Sequence, residues 1–248
     1  MIIIKSRDEI RMMRESGRVA AQVRDELAAA IAPGVTTAEL DRKAAALIES
    51  LGAKSAFLGY RGYPGNVCVS IDSEVVHGIP GNRRIELGQI VSLDIGVLFG
   101  GFVGDTATTV MVGVTDPEVI RLVRSTELAL QAGIAMAIPG KRLGDVSHAI
   151  EAVAVRAGFS VVRDFVGHGI GRKMHEDPQI PNFGNPGKGP KLKVGMTLAI
   201  EPMVNMGGWA VEVLSDGWTV KTADGLPSAH FEHTVAIGPD GPEILTLG

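Results

Sequence analysis

The chain has 248 residues, 24 Lys and Arg against 28 Asp and Glu, a formal net charge of −4 and 45 % hydrophobic residues. That length and apolar content suit one large domain or two halves sharing a core, and the mild acidity gives no global case for binding nucleic acid. A single cysteine, Cys68, excludes an internal disulfide and fits a reducing compartment, and no run reaches the ~18 apolar residues of a membrane span.

In chain order, Met1-Ile2-Ile3-Ile4-Lys5 is too short an apolar run for a signal peptide. Ser6-Arg7-Asp8-Glu9 is a capping box that predicts a helix with Ile10, Met13, Ala20, Leu27 and Ile31 among its apolar positions, stopping near Pro33-Gly34. Thr36-Thr37-Ala38-Glu39 is a second capping box, opening a helix through Leu40, Leu47 and Leu51 that ends at Gly52. The stretch from Val91 to Thr106 then reads as a β-hairpin, with apolar β-favouring residues flanking Gly100-Gly101. A four-residue loop, Leu98 to Gly101, sets Asp94 directly opposite Asp105. A two-residue turn at Gly100-Gly101 makes them diagonal neighbours. Both alternatives leave the two carboxylates on one face, because side chains alternate with period 2. Facing like charges cost stability, so something must hold them: a shared proton, a cationic side chain or a metal. The bland alternative is two unrelated aspartates at a hairpin rim.

The same grammar returns 106 residues later. Asp116-Pro117 starts a helix with proline at its first position, Pro139-Gly140 matches Pro33-Gly34, and Gly158 matches Gly52. Strands repeat at an offset of 107, which aligns Asp94 with Glu201, and Gly104-Asp105-Thr106 resembles Phe231-Glu232-His233-Thr234. Two similar halves, about residues 6–112 and 114–248, are expected to share one catalytic domain and to bring two carboxylates each to one centre. Asp94, Asp105, Glu201 and Glu232 thus form a set of hard oxygen ligands. Imidazole would move their preference toward Mn, Fe, Co or Zn. Of six histidines, His77, His168 and His175 stand in distinctive settings; in Gly167-His168-Gly169 the missing side chains let a backbone or ligand approach the ring. A lone histidine is more often structural, and His148, inside a predicted helix, is read so. His230 and His233 flank Glu232. Strand neighbours at odd offsets face away from it, so neither is expected to share its metal. Four carboxylates and one imidazole favour a centre of two metals ~3.5–4 Å apart, with an activated water as nucleophile.

Asp94, the step to Asp105, Gly167-His168-Gly169-Ile170-Gly171, Ile200-Glu201-Pro202-Met203 and Glu232-His233-Thr234 together resemble the type I methionine aminopeptidases, over nearly the whole chain. The resemblance implies a duplicated α/β (α+β) pita-bread fold: an antiparallel sheet covered by two pairs of helices with pseudo-two-fold symmetry. It also implies excision of the initiator methionine from nascent proteins whose second residue is small. By the same resemblance Asp94 chelates one of two divalent ions (Co, Mn, Fe or Zn), Asp105 and Glu232 bridge both, and His168 and Glu201 complete the other. Glu201 serves as acid/base toward the bridging water. His77 lies beside the substrate amine and leaving nitrogen, and His175 beside the scissile carbonyl. Tyr60, Tyr63, Cys68 and Trp218 stand at positions that line the methionine pocket, where a thioether suits aromatic rings. Phe57 and Met174 depart from the cysteine and phenylalanine expected there, and Asp72 replaces an asparagine near a monovalent-cation site, which is therefore not carried over.

Two other classes remain in view: an Xaa-Pro exopeptidase on the same fold, for which an additional N-terminal domain is expected, and a pseudo-enzyme, whose mark would be lost ligands. Partners implied by the resemblance are nascent polypeptide N-termini and a transient ribosome contact, with no membrane or specific DNA, in a cytoplasmic monomer. Lys188, Lys191 and Lys193 form a basic cluster that reads as a solvated loop, with RNA contact as the alternative.

Overall fold

The computed structural model describes residues 1–247, as four long helices and one dominant antiparallel sheet with two small ones. Helix α1 (Arg7–Ala30) begins where the Ser6 hydroxyl accepts from the Glu9 N–H and the Glu9 carboxylate accepts from the Ser6 N–H. Thr36 and Glu39 do the same for α2 (Thr37–Ser50), and Gly52 follows its end at φ +70°, where a side chain would be strained. In α3 (Pro117–Met136) the Asp116 carboxylate accepts from the Glu118 N–H, and α4 (Leu143–Arg156) starts with the Arg142 N–H donating to Asp145. The Ser6, Thr36 and Asp116 caps satisfy otherwise orphaned donors and stabilise the starts of α1, α2 and α3 by about 0.5–2 kcal/mol each.

The main sheet runs, edge to edge, Lys54–Ser55, Ile90–Phe99, Phe102–Met111, Glu232–Ile237, Thr197–Ile200, Gly167–Gly169, Glu176–Ile180, with Cys68–Ile71 added beside Ile90–Phe99. Phe99 pairs with Phe102, so the hairpin turns on two residues, Gly100 and Gly101, both at positive φ (58° and 82°). That decides between the two loops the sequence leaves open. Asp94 pairs with Ala107 and Asp105 with Gly96, so the aspartates are diagonal neighbours on one face. Ala107 pairs in turn with Glu232 on its other side. Three adjacent strands therefore carry Asp94, Asp105 and Glu232 within two residues of a common line.

The helices cover the other face. Leu93 and Ile95, which flank Asp94, pack with Leu27 and Leu40 of α1 and α2. Leu198 and Ile200 pack with Leu122, Leu130 and Ile150 of α3 and α4. Alternation then turns the intervening Asp94 away from the helices. At Gly104 α1 lies directly on the hairpin: a Cβ there would meet the Ser16 carbonyl oxygen at 2.7 Å. No described helix is long and apolar enough to cross a membrane.

Candidate active site and metal centre

On the face opposite the helices, Asp105, His168 and Glu232 are buried and offer ligand atoms within 4.8 Å of one another. His168 Nε2 lies 3.8 Å from Asp105 Oδ2 and 3.5 Å from Glu201 Oε1. The His168 Nδ1–H donates to the Gly169 carbonyl at 2.9 Å, which fixes the ring and leaves Nε2 as the lone pair facing the acids. His168 sits on a strand flanked by glycines because its neighbours' backbones press close. A Cβ at Gly167 would meet the Ala199 oxygen at 2.5 Å, and one at Gly169 the Asp177 oxygen at 2.0 Å.

Among the described residues, seven buried side-chain nitrogen or oxygen atoms lack a hydrogen-bond partner, and four of them are here: Asp94 Oδ1, Asp105 Oδ1, Glu232 Oε1 and His230 Nε2. Buried acceptors without donors are costly unless a cation completes them. Four carboxylates and one oriented imidazole fit a divalent metal of the Mn, Fe, Co or Zn type.

The chain matches the profile of the Metallopeptidase family M24 over residues 11–239. It is 52 % identical to the methionine aminopeptidase of Clostridium perfringens over 247 residues, covering 100 % of this chain and 99 % of that one. It is 50 % identical to methionine aminopeptidase 1 of Bacillus subtilis, covering 99 % of each. The crystal structure of the Thermotoga maritima methionine aminopeptidase superposes with a TM-score of 0.98 at 48 % identity, covering both chains completely. This chain belongs to metallopeptidase family M24, as a type I methionine aminopeptidase. Its four helices and antiparallel sheet are the pita-bread fold of that family.

For a methionine aminopeptidase the walls around the acids matter as much as the acids. A cavity of about 240 Å³ is lined in part by Asp94, Asp105, His168, Glu201 and Glu232. His77, His175, Tyr60, Tyr63, Cys68 and Trp218 line the rest, together with Phe57 and Met174. The residues to which the resemblance gives a catalytic, metal-binding or methionine-pocket role thus border one space. Cys68 pairs across from Asp94; burial and then the Asp94 charge push its thiol well above the usual range, so it is a neutral wall and not a nucleophile. Phe57 and Met174 occupy the room left by Gly96, where a Cβ would meet Phe57 Cε1 at 2.5 Å and Met174 Cε at 2.8 Å. Tyr63 stands edge-on to both Phe57 and Trp218. His77 is held at φ +61°, a left-handed conformation that a non-glycine residue adopts only under constraint. Its ring meets Phe165 and Trp218 edge-on.

Arg61 and Phe165 also line the cavity, although no motif or spacing in the sequence marks either of them. His230 is a correction. It was expected to face away from Glu232, yet it is fully buried with Nε2 at 3.6 Å from Glu201 Oε2. It stands two positions from Glu232, an even offset, and the strand is interrupted at Phe231, so it shares the site's face. His233 does point elsewhere: its Nδ1 bonds the Thr246 hydroxyl at 2.8 Å.

Burial raises all four acids. It pushes Asp94 up to about 7 and Glu201 to about 8, and it raises Asp105 and Glu232 well above the carboxylate range, with further repulsion from the neighbouring acids. Burial pulls His168 down to about 3 and His77 to about 4. In metal-stripped protein the folded chain therefore holds carboxyl protons, above the ordinary acid range, that the unfolded chain has lost. Stability falls as pH rises through the raised values. The histidines oppose this only below their ordinary value of 6.5, where the unfolded chain protonates first. The melting temperature of stripped protein is expected to drop from about pH 6.5 to about pH 8.5, and a saturating divalent cation, which prefers ionised acids, should flatten or invert that slope. A melting temperature that rises over this range in stripped protein would mean the acids are already ionised without a cation.

Proposed function

We propose that the chain removes the N-terminal methionine of nascent polypeptides when the second residue is small, using two divalent metal ions held by Asp94, Asp105, His168, Glu201 and Glu232. The observation that carries this reading is the single cavity that joins an apolar, aromatic-lined slot to the under-satisfied acid cluster. Bound there, the ions would supply an activated water and a Lewis acid for the scissile carbonyl.

The chain's own residues divide the remaining work. Tyr60, Tyr63, Cys68, Trp218, Phe57 and Met174 enclose the methionine side chain and exclude water from it. Glu201, with its two oxygens 3.5 Å from His168 Nε2 and 3.6 Å from His230 Nε2, would, once ionised beside bound cations, take a proton from the attacking water and return it to the departing amine. The Tyr60 hydroxyl contacts His175 Nδ1 at 2.8 Å; with that nitrogen accepting, Nε2 carries the proton and donates to the developing oxyanion. His77, kept neutral by burial, donates near the leaving nitrogen. The two repeats, 6–112 and 114–248, work as one catalytic domain in this reading, each presenting two of the four acids. A cytoplasmic monomer that meets its substrates in transient contact with the ribosome belongs to the same reading.

A slot that takes the first side chain beside a confined centre leaves little space for the second. Peptides beginning Met-Ala, Met-Gly or Met-Ser are expected to be cut, those beginning Met-Lys, Met-Arg or Met-Phe hardly at all, and Xaa-Pro peptides not at all. The assay starts from metal-stripped protein with Mn, Fe, Co and Zn added back singly. Comparable rates on Met-Ala and Met-Lys peptides, or preference for Xaa-Pro, would overturn this specificity.

A further inference from the structure

We propose that the buried ion pair between Lys5 and Glu176 positions His175, so that both residues act as positioning residues for turnover. The inference rests on the role given to His175 above.

The N-terminal segment inverts the usual pattern of burial. Ile3 and Ile4 are 51 % and 49 % exposed, whereas Lys5, next in line, is only 5 % exposed. Hydrophobicity alone would bury the isoleucines and leave the lysine in water. Lysine is inserted because a specific partner waits for it: Nζ lies 2.5 Å from Glu176 Oε2, with both side chains almost fully enclosed. The Lys5 backbone is fixed as well, its N–H donating to the Gly195 carbonyl at 2.8 Å. The other Glu176 oxygen accepts from the Lys173 N–H at 3.3 Å. Gly171 closes the pair in: a Cβ there would meet Lys5 Cε at 2.6 Å and Glu176 Oε1 at 2.7 Å.

Glu176 directly follows His175. It pairs with Gly169, beyond the register shift that follows His168. The loop 170–175 therefore leaves the sheet next to one site histidine and returns next to the other, whose rings stand 4.3 Å apart. Lys5 grips the returning end. The nearby Arg172 is directed to Glu9. On the cavity side the Tyr60 hydroxyl and stacked ring meet His175, whose other neighbour there is the His168 ring. With the grip released, the His175 backbone would be free to drift while the metal ligands, carried by other segments of the chain, stay in place. A shift of about 1 Å in a catalytic donor is enough to cost up to ~10²-fold in rate.

Removing one member of a buried pair strands the other's charge and destabilises the fold, whereas replacing both with apolar side chains is close to neutral. The test therefore uses Lys5→Met alone and the double variant Lys5→Met with Glu176→Met, each also combined with His175→Ala. Kinetics on a Met-Ala-Ser peptide at saturating metal are run beside metal titration by calorimetry and the ¹⁵N imidazole shifts of His175. In the folded double variant kcat is expected to fall roughly 10- to 100-fold, with KM and metal affinity within about threefold and the His175 resonances displaced. In the His175→Ala background the same substitutions should change kcat by less than about twofold, because groups acting through one residue are not additive. An equal loss in both backgrounds, a matching loss of metal, or a folded double variant at full rate would overturn the proposal. If His175→Ala itself turns over normally, it is the role of His175 that fails. If His175→Ala is slow and the double variant is not, this inference alone fails.

Discussion

Glu232→Gln and Asp105→Asn are each expected to yield folded protein that releases no measurable methionine and binds metal more than ~10²-fold more weakly, a larger loss than removing an outer supporting group causes. Each substitution keeps the side chain's shape and removes one negative charge from the centre of the cluster. Asp105 and Glu232 lie with His168 in the tightest grouping of the site, and each has a buried oxygen without a donor. The same change should raise the melting temperature of the metal-stripped protein at neutral pH. Burial and mutual repulsion already disfavour these charges, so an uncharged amide relieves the stripped fold while ruining the loaded one. Calorimetry, metal analysis and thermal melts with and without chelator separate the two effects. Variants that retain two ions and near-normal turnover would sink the reading of this cluster as a dinuclear centre.

The second large effect concerns the histidines. His77→Ala and His175→Ala are expected to lower kcat by roughly 10²- to 10⁴-fold, the range for proton donors and oxyanion clamps, with metal affinity nearly unchanged. Both rings line the cavity, and in the proposed reading they face substrate and hold no metal. His168→Ala should fail differently. Its Nε2 is the lone pair directed at the acids, so metal is lost first and excess metal restores part of the rate. Metal titration of the three variants, beside kinetics at saturating metal, tells them apart. Should His77→Ala or His175→Ala lose metal as severely as His168→Ala, the division between ligands and substrate-facing histidines is wrong.

Much of the local structure around these residues is legible in the sequence. Helix starts follow from residues three apart, so Ser6 with Glu9 and Thr36 with Glu39 announce α1 and α2 locally. Period-2 alternation places Asp94 and Asp105 on one face whichever turn closes the hairpin. The motifs around His168, Glu201 and Glu232 identify the family because they fall together in one chain.

What the tertiary structure alone decided depends on contacts between distant segments. Either hairpin loop was compatible with the pattern; positive φ at both Gly100 and Gly101 selects the two-residue turn and sets the aspartates diagonally. His230 entered the site through an even offset and a strand break at Phe231, which a rule for continuous strands does not handle. Phe57 and Met174, distant in sequence, meet over Gly96 because that position has no side chain. Lys5 looked like the charged end of a short apolar run, and only the fold brings Glu176, 171 residues away, to bury it. Local spacing determines which residues cap, alternate and turn, because those preferences act over a few bonds. Which buried charge finds which partner is decided by packing, since burial and its electrostatic cost exist only once distant segments have closed around the group.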